Sequence, residues 1–544
     1  MQLPSLCPYM TSAGRYCIAI LLDLWVASKL GKAMSVMIQS VVRLVHPKSS
    51  YSSSKGPRVT GHHGVEKEIE AKKSMDNFLA EVRTLFEAPT QTERLLEISA
   101  KLQAECRERL AESDISMLPS YLHTLPTGHE QGDFLALDVG GSTFRIALIR
   151  LTGKTKPGSD GLQIRRIRSF TIDEQTRGLE GQAFFDWMAD RIGDMLGEYN
   201  HVNGTSNATL PMGLAWSFPV EMTSPRTGKL RQMGKGFQAT TGLEGEDLSE
   251  LIMRSCERRG LNVQMRAIVN DGAGTLISQA YRDPSTRLSL ILGTGTNAGV
   301  FLPTSALASH KFGSRPDAWF QDAKHVLVNT ELSMVGKESL PVTRWDNELN
   351  ANHTLPDFQP LEYLITGRYL GEIARLILVE AIQKIDLFGG RVPDRLDVPY
   401  ALDSRIIAAF ESDTTPTLEK AKAAFVQAHP SVTKPRLSEL EFIRQVARLV
   451  SRRAAAYLAT ALHALWVVKT ESEGLQPEEA EHITVACNGT IVEKYPGYRE
   501  LCQLHLDDLC EQSGAARGAV TLSMAHESSI FGAAVAVACM EEDA

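Results

Sequence analysis

The stretch AIVNDGAGTL, residues 267–276, carries the chain's most pointed chemistry. Its apolar start reads as the end of a strand, and Asn270 and Asp271 follow, with glycine at 272 and 274. A carboxylate brought to a strand end can cap a turn or helix, or serve as a base beside a substrate. Two glycine turns raise a related question: LDVGGST (137–143) and LGTGTN (292–297). Each sets a carboxylate or hydroxyl at a strand end, with glycines that let backbone N–H groups approach a ligand closely. Phosphate oxygens suit such turns. Asp138 is then placed to reach a magnesium ion through water, and Thr294 with its neighbouring amides to hold a phosphoryl group. Neither turn matches the P-loop or GxGxxG patterns, and a tight hairpin turn alone would also call for the glycines.

The elements that must position these residues are legible from periodicity. QGDFLALDVGGSTFRIALIRL (131–151) and RLSLILGTGTNAGVFL (287–302) both run strand, glycine turn, strand. SDGLQIRRIRSFTI adds a strand, FFDWMADRIGDMLGEYN an amphipathic helix, and LPMGLAWSF (210–218) a buried strand. Helices are expected at MDNFLAEVRTLFE, QTERLLEISAKLQAECRERLAE, YLGEIARLILVEAIQKI, VARLVSRRAAAYLATALHALWVV and SSIFGAAVAVACMEE, with a late strand at HITVACNG. Two copies of a hairpin-plus-helix layer imply two α/β lobes facing a cleft, and no short tandem repeat is evident.

The 544 residues are too many for one compact core. Hydrophobic residues at 43% and charged residues at 22% are ordinary for a globular protein, and a net charge of −8 argues against general nucleic-acid binding. Eight scattered cysteines without CxxC spacing argue against zinc or a disulfide framework and fit a reducing compartment. Residues 1–48 are basic (Arg15, Lys29, Lys32, Arg43, Lys48 against Asp23) around a short apolar run. That composition suits organelle targeting or anchoring at a membrane surface, such as that of mitochondria; a start at Met34 is the alternative. SSYSSSKGPRVTGHHG (49–64) reads as a polar linker.

Several stretches together resemble the hexokinase family, including the glucokinases. They are MLPSYLHTLPTGHEQGDFLALDVGG (117–141), WSFPVEMTSPRTGKL (216–230), GKGFQATTGLEGEDLSEL (234–251), AIVNDGAGTL, LGTGTNAG, VNTE (328–331), LEYLITGRYLGEIARLIL (361–378), VSRRAAAYLA and EKYPGY. They occur in the family's order over roughly residues 75–540. The resemblance implies an α/β fold: two actin-like ATPase (ribonuclease H-like) lobes around a sugar-binding cleft. Its expected parts are an extension (1–63), a helical part on the large lobe (64–130), a small lobe (131–268), a large lobe (269–526) and a final helix returning to the small lobe (527–544). It implies transfer of the γ-phosphoryl of ATP, with magnesium, to the 6-hydroxyl of a hexose such as glucose. By likeness Asp271 matches the base and Lys235 the family's catalytic lysine. Ser217, Phe218, Asn270, Asn297, Glu331 and Glu362 match sugar positions. Gly140, Gly141, Ser142, Thr143, Arg145, Gly293, Thr294, Gly295, Thr490 and Ser529, with Asp138, match the nucleotide side.

Departures cluster near the chemistry. Gly234 and Gly272 stand where the family has threonines, Ser142-Thr143 where it has Thr-Asn, and Leu332-Ser333 where it has Trp-Gly after the glutamate. Asn488-Gly489-Thr490 replaces Asp-Gly-Ser, and Ser528-Ser529-Ile530 replaces Gly-Ser-Gly, adding side chains expected to crowd ATP. Two functions are therefore expected in turn: a cytoplasmic hexose kinase, weakened by the missing hydroxyls, or a non-catalytic sugar sensor that signals to a protein partner.

Overall fold

The computed structural model describes residues 62–154, 161–203, 209–234 and 236–542. Residues 1–48, with their expected targeting or anchoring role, and Lys235 lie outside these residues. The chain divides into two units, 1–67 and 68–544, and the account below concerns the second.

The strands are β1 (Leu118–Pro119), β2 (Gln131–Val139), β3 (Thr143–Thr152), β4 (Leu162–Thr171), β5 (Leu210–Trp216), β6 (Val220–Ser224), β7 (Thr227–Leu230), β8 (Val263–Val269), β9 (Thr286–Leu292), β10 (Thr296–Pro303), β11 (His325–Asn329), β12 (Ile483–Asn488) and β13 (Val520–Met524). The helices used here are α1 (His62–Glu87), α2 (Thr92–Glu112), α3 (Gln182–Asn203), α4 (Leu248–Arg258), α5 (Asp271–Arg282), α6 (Pro360–Ile365), α7 (Gly367–Ile385), α8 (Leu437–Ser472), α9 (Thr490–Lys494), α10 (Tyr498–Gln512) and α11 (Ser528–Glu542).

Two sheets carry the architecture. One has the order β4-β3-β2-β5-β8, the other β1-β11-β10-β9-β12-β13, and β6 and β7 form a separate ribbon. Each sheet contains one of the expected hairpins: β2 with β3, antiparallel, and β9 with β10, antiparallel. Parallel neighbours then extend each sheet, β5 beside β2 and β12 beside β9.

Alternation along β2 assigns its residues to two cores. Leu135, Leu137 and Val139 face a core shared with Phe184, Met188, Leu251 and Ile252 of α3 and α4. Phe134 and Ala136 face the other way, toward α5 and α11. This is the two-residue period of a strand buried on both faces. β3 repeats the division, with Phe144, Ile146 and Leu148 on one side and Ala147, Ile149 and Leu151 on the other.

Helices α5 and α11 pack together between the sheets, α11 against β2, β5 and β8, and α5 against β9. Small residues let them approach. A Cβ built on Gly532 would lie 2.2 Å from the carbonyl oxygen of Gly274, and one on Gly213 would lie 2.1 Å from that of Ala533. Residues 533–538 of α11 are buried, as an all-apolar helix requires.

The second sheet lies in a larger helical core. Its centre is α8, a 36-residue helix that extends well beyond the expected 446–468. α8 packs against α2, α6, α7 and α10. Arg453 of α8 is buried and holds Asp346 through two bonds of 2.7 Å. Among the described residues no helix is long and apolar enough to cross a membrane. The six cysteines described, Cys106, Cys256, Cys487, Cys502, Cys510 and Cys539, are all buried and none is in a disulfide.

Candidate active site

Strand β8 ends at Val269, and Asn270 turns the chain into α5. Asn270 is the N-cap, its Oδ1 accepting from the Ala273 N–H at 2.7 Å. Asp271 is the first helical residue, and its Oδ1 accepts from the Gly272 N–H at 2.8 Å. Capping therefore falls to Asn270, and the carboxylate is held at the mouth of a helix. Gly274 is where α11 crosses, and Gly272 faces Ser289 and Gly299 on β9 and β10.

Three of the other residues expected to meet sugar, Asn297, Glu331 and Glu362, lie on or beside the second sheet. Asn297, at the start of β10, donates through Nδ2 to Asn329 Oδ1 at 2.8 Å, and Asn329 donates to Glu331 Oε1 at 2.8 Å. Glu331 has a left-handed backbone, φ 50°, directly after β11. Burial raises its pKa, the Asn329 bond opposes this, and the charge of Asp271 adds to the rise. Two carboxylates that sense each other in this way share one local space. Glu362, in α6, accepts the Thr296 N–H at 3.0 Å. A Cβ on Gly295 would stand 2.8 Å from Glu362 Oε2, so Gly295 leaves room for this carboxylate as much as for a phosphate. Asn329 escaped the sequence reading, although the quoted VNTE contains it. No periodicity distinguishes a bridging amide from a solvated one.

Ser217 lies at the end of β5, its N–H bonded to Val139 O at 3.2 Å. The ring of Phe218 is buried against Trp216 and Phe237, with centroids 5.3 and 4.9 Å away, which leaves its backbone as the part to meet a ligand.

On the nucleotide side the two glycine turns differ. Gly293 abuts Thr490: a Cβ there would lie 3.6 Å from both the N and Oγ1 of Thr490. Thr294 is exposed at the tip, and its carbonyl accepts from Thr366 Oγ1 at 3.0 Å. In the other turn Gly140 N–H bonds Thr143 O at 3.0 Å, and Gly141 O accepts from Arg177 at 3.1 Å. Ser142 is exposed. Asp138 is buried and its pKa is raised, by burial first, with Arg145 pulling it down. Arg145 faces Asp138 in register, donates Nε to it at 2.8 Å, and reaches Glu527 at 2.6 Å. One buried carboxylate is few ligands for a metal, and among the described residues no group of three or more acids, histidines or cysteines could hold one. Magnesium, however, is commonly held by one or two carboxylates together with substrate phosphates and water. The donors fit that arrangement, with Asp138 as the protein's contribution.

The expected crowding at 528–530 is a correction. Ser528 is fully buried, its hydroxyl paired with Thr275 at 2.8 Å and taking the Asn488 amide at 2.5 Å. Ile530 is fully buried in the core between the sheets. Both side chains point inward, leaving half-buried Ser529 as the residue at that turn.

Comparison with known proteins gives concordant results. Family models described as "Hexokinase" match residues 80–281 and 287–539. Tobacco "Hexokinase-2, chloroplastic" is 31% identical over 401 residues, covering 73% of this chain and 77% of that protein. This chain belongs to the hexokinase family. Rice "Hexokinase-7" is 28% identical over 455 residues, covering 83% of this chain and 95% of its own. A solved hexokinase from Schistosoma mansoni, complexed with glucose, superposes with a TM-score of 0.68 at 26% identity, covering 86% of this chain and 99% of that one. The fold is that of the hexokinases, two α/β lobes of the actin-like ATPase type, and the family's general chemistry is phosphoryl transfer to sugars.

Proposed function

We propose that this hexokinase-family protein transfers the γ-phosphoryl of ATP to the 6-hydroxyl of glucose or a similar hexose. The observation that carries this reading is the linked set Asn297–Asn329–Glu331 beside Asp271, with Glu362 of α6 bonded to Thr296, the neighbour of Asn297. A hexose presents hydroxyls on every side, and carboxylates with amides can accept from and donate to them. Glu331 and Glu362 accept from hydroxyls, and Asn297 and Asn270 fix orientation. Asp271 takes the proton of the 6-hydroxyl as that oxygen becomes the nucleophile, since a primary alcohol is a poor nucleophile at neutral pH. Lys235 is assigned to the moving phosphoryl group on its sequence match alone. ATP with magnesium supplies the phosphoryl group and neutralises its charge. Gly293, Thr294, Thr490 and Ser529 would hold the nucleotide, with Asp138, Arg145 and the turn 140–143 on its phosphates and metal. Buried cysteines, none of those described in a disulfide, support a cytoplasmic setting.

A second reading, a sugar sensor without turnover, is favoured by the bare positions 234 and 272. Gly234 has φ +67°, a conformation a threonine would adopt only under strain. A coupled assay with glucose, ATP and magnesium separates the two readings. Turnover that disappears in Asp271→Ala supports the kinase. A thermal shift with glucose, none with ATP and no turnover would leave the sensor.

A further inference from the structure

We propose that Ser289 is a positioning residue for Asp271, acting through the backbone of Gly272. The proposal rests on the reading of Asp271 as the group that meets the 6-hydroxyl. Ser289 lies on β9 and is fully buried. Its Oγ donates to the Gly272 carbonyl at 2.8 Å and accepts the Gly299 N–H at 3.1 Å. Gly272 in turn gives its own N–H to Asp271 Oδ1 at 2.8 Å. One residue thus links the sheet to the carboxylate: the hydroxyl fixes the carbonyl of Gly272, and the N–H of Gly272 fixes the acid.

One glycine makes room for this hydroxyl. A Cβ on Gly299 would come within 2.7 Å of Ser289 Oγ, so no side chain is tolerated there while the hydroxyl stays in place. A Cβ on Gly272 would meet nothing closer than 3.7 Å, so that position is open rather than forced. The first turn of α5 has no side chain of its own at 272 to anchor it to the sheet, and Ser289 supplies the anchor from the other side. An alanine at 289 would leave the Gly299 N–H and the Gly272 carbonyl without this partner, both within buried structure. The helix would remain, held by α11, while the acid lost its fixed bearing. Misplacement of a reacting group by about 1 Å can cost on the order of a hundredfold in rate.

The test uses the full chain, as wild type, Ser289→Ala, and Ser289→Ala with Gly272→Ser, which returns a hydroxyl from the helix side. Two quantities are read: hydrogen exchange of segments 270–276 and 297–300, and the ratio of dissociation constants for 6-deoxyglucose and glucose. The ratio isolates the Asp271 contact and needs no turnover. Wild type is expected to prefer glucose about tenfold, the worth of one good hydrogen bond. Ser289→Ala is expected to bring the ratio within twofold of unity, leave 6-deoxyglucose affinity within threefold, and speed exchange in both segments at least tenfold. The double variant is expected to recover most of the ratio. Unchanged exchange in Ser289→Ala, or a retained preference for glucose, overturns the proposal. A wild-type ratio near unity, with glucose still bound, instead sinks the assignment of Asp271 and removes anything for Ser289 to position. Loss of affinity for both sugars together marks collapse of the site and also counts against positioning.

Discussion

Gly295→Ala should disable sugar binding while sparing the fold. Gly295 is not in the left-handed region, so alanine fits its backbone. The new Cβ, however, would stand 2.8 Å from Oε2 of Glu362, 3.4 Å from its carboxyl carbon and 3.6 Å from Oε1. A separation of 2.8 Å is shorter than real Cβ contacts show, and what must yield is the end of a flexible side chain. The carboxylate therefore moves and loses the Thr296 N–H bond of 3.0 Å that aims it. A hydrogen bond to a charged group contributes about 1.5–3 kcal/mol, and each 1.4 kcal/mol is a factor of ten. If one such contact to sugar is lost, glucose should bind about 10–100-fold more weakly. The melting temperature without ligand should stay within about 2 °C, because no buried core group is displaced. Calorimetric titration of wild type and variant with glucose, beside thermal melts, reads both. Glucose affinity within threefold of wild type, with an unchanged melt, would refute the placement of Glu362 in the sugar site.

Glu331→Gln should stabilise the unliganded protein at pH 7.5 while weakening glucose binding. Burial, reinforced by Asp271, raises the Glu331 pKa, so the native state holds its proton to higher pH than the unfolded chain does. That contribution is present below about pH 4.5 and is lost as pH rises through the raised value, so the gain from Gln in melts should shrink toward acid. Asp346→Ala should cost about 3–5 kcal/mol in denaturant titrations, since it strands Arg453, which is 1% exposed. Gly532→Ala should destabilise by more than about 2 kcal/mol and depress turnover, because its Cβ falls 2.2 Å from Gly274 O and pushes α11 off the helix that carries Asp271.

Much of this could be read from the chain alone, for definite physical reasons. The hairpins 131–151 and 287–302 were legible because strand alternation brackets a run of glycines that only a tight turn needs. Helix α11 was legible, to its first and last residues, because an apolar stretch with small residues has no surface to face. What a glycine makes room for was not legible. A sequence records that a Cβ is missing but does not name the neighbour. Hence Gly274 proves to be a helix crossing, and Gly295 accommodates Glu362. Direction was hidden for the same reason. Ser528 and Ile530 looked like obstacles until the start of α11 turned them inward. That the ring of Phe218 packs beside Trp216 and Phe237 was equally hidden. Asn329 and Ser289 each depend on a partner distant in the chain, and no local pattern reports such a partner.

The most direct test is a crystal structure of the full chain grown with glucose. One sugar is predicted between the lobes, with its hydroxyl oxygens within hydrogen-bond distance of Asp271, Glu331, Glu362, Asn270 and Asn297 and its 6-hydroxyl on Asp271. Glucose seated elsewhere, or in the cleft with its 6-hydroxyl turned away from Asp271, would contradict the account.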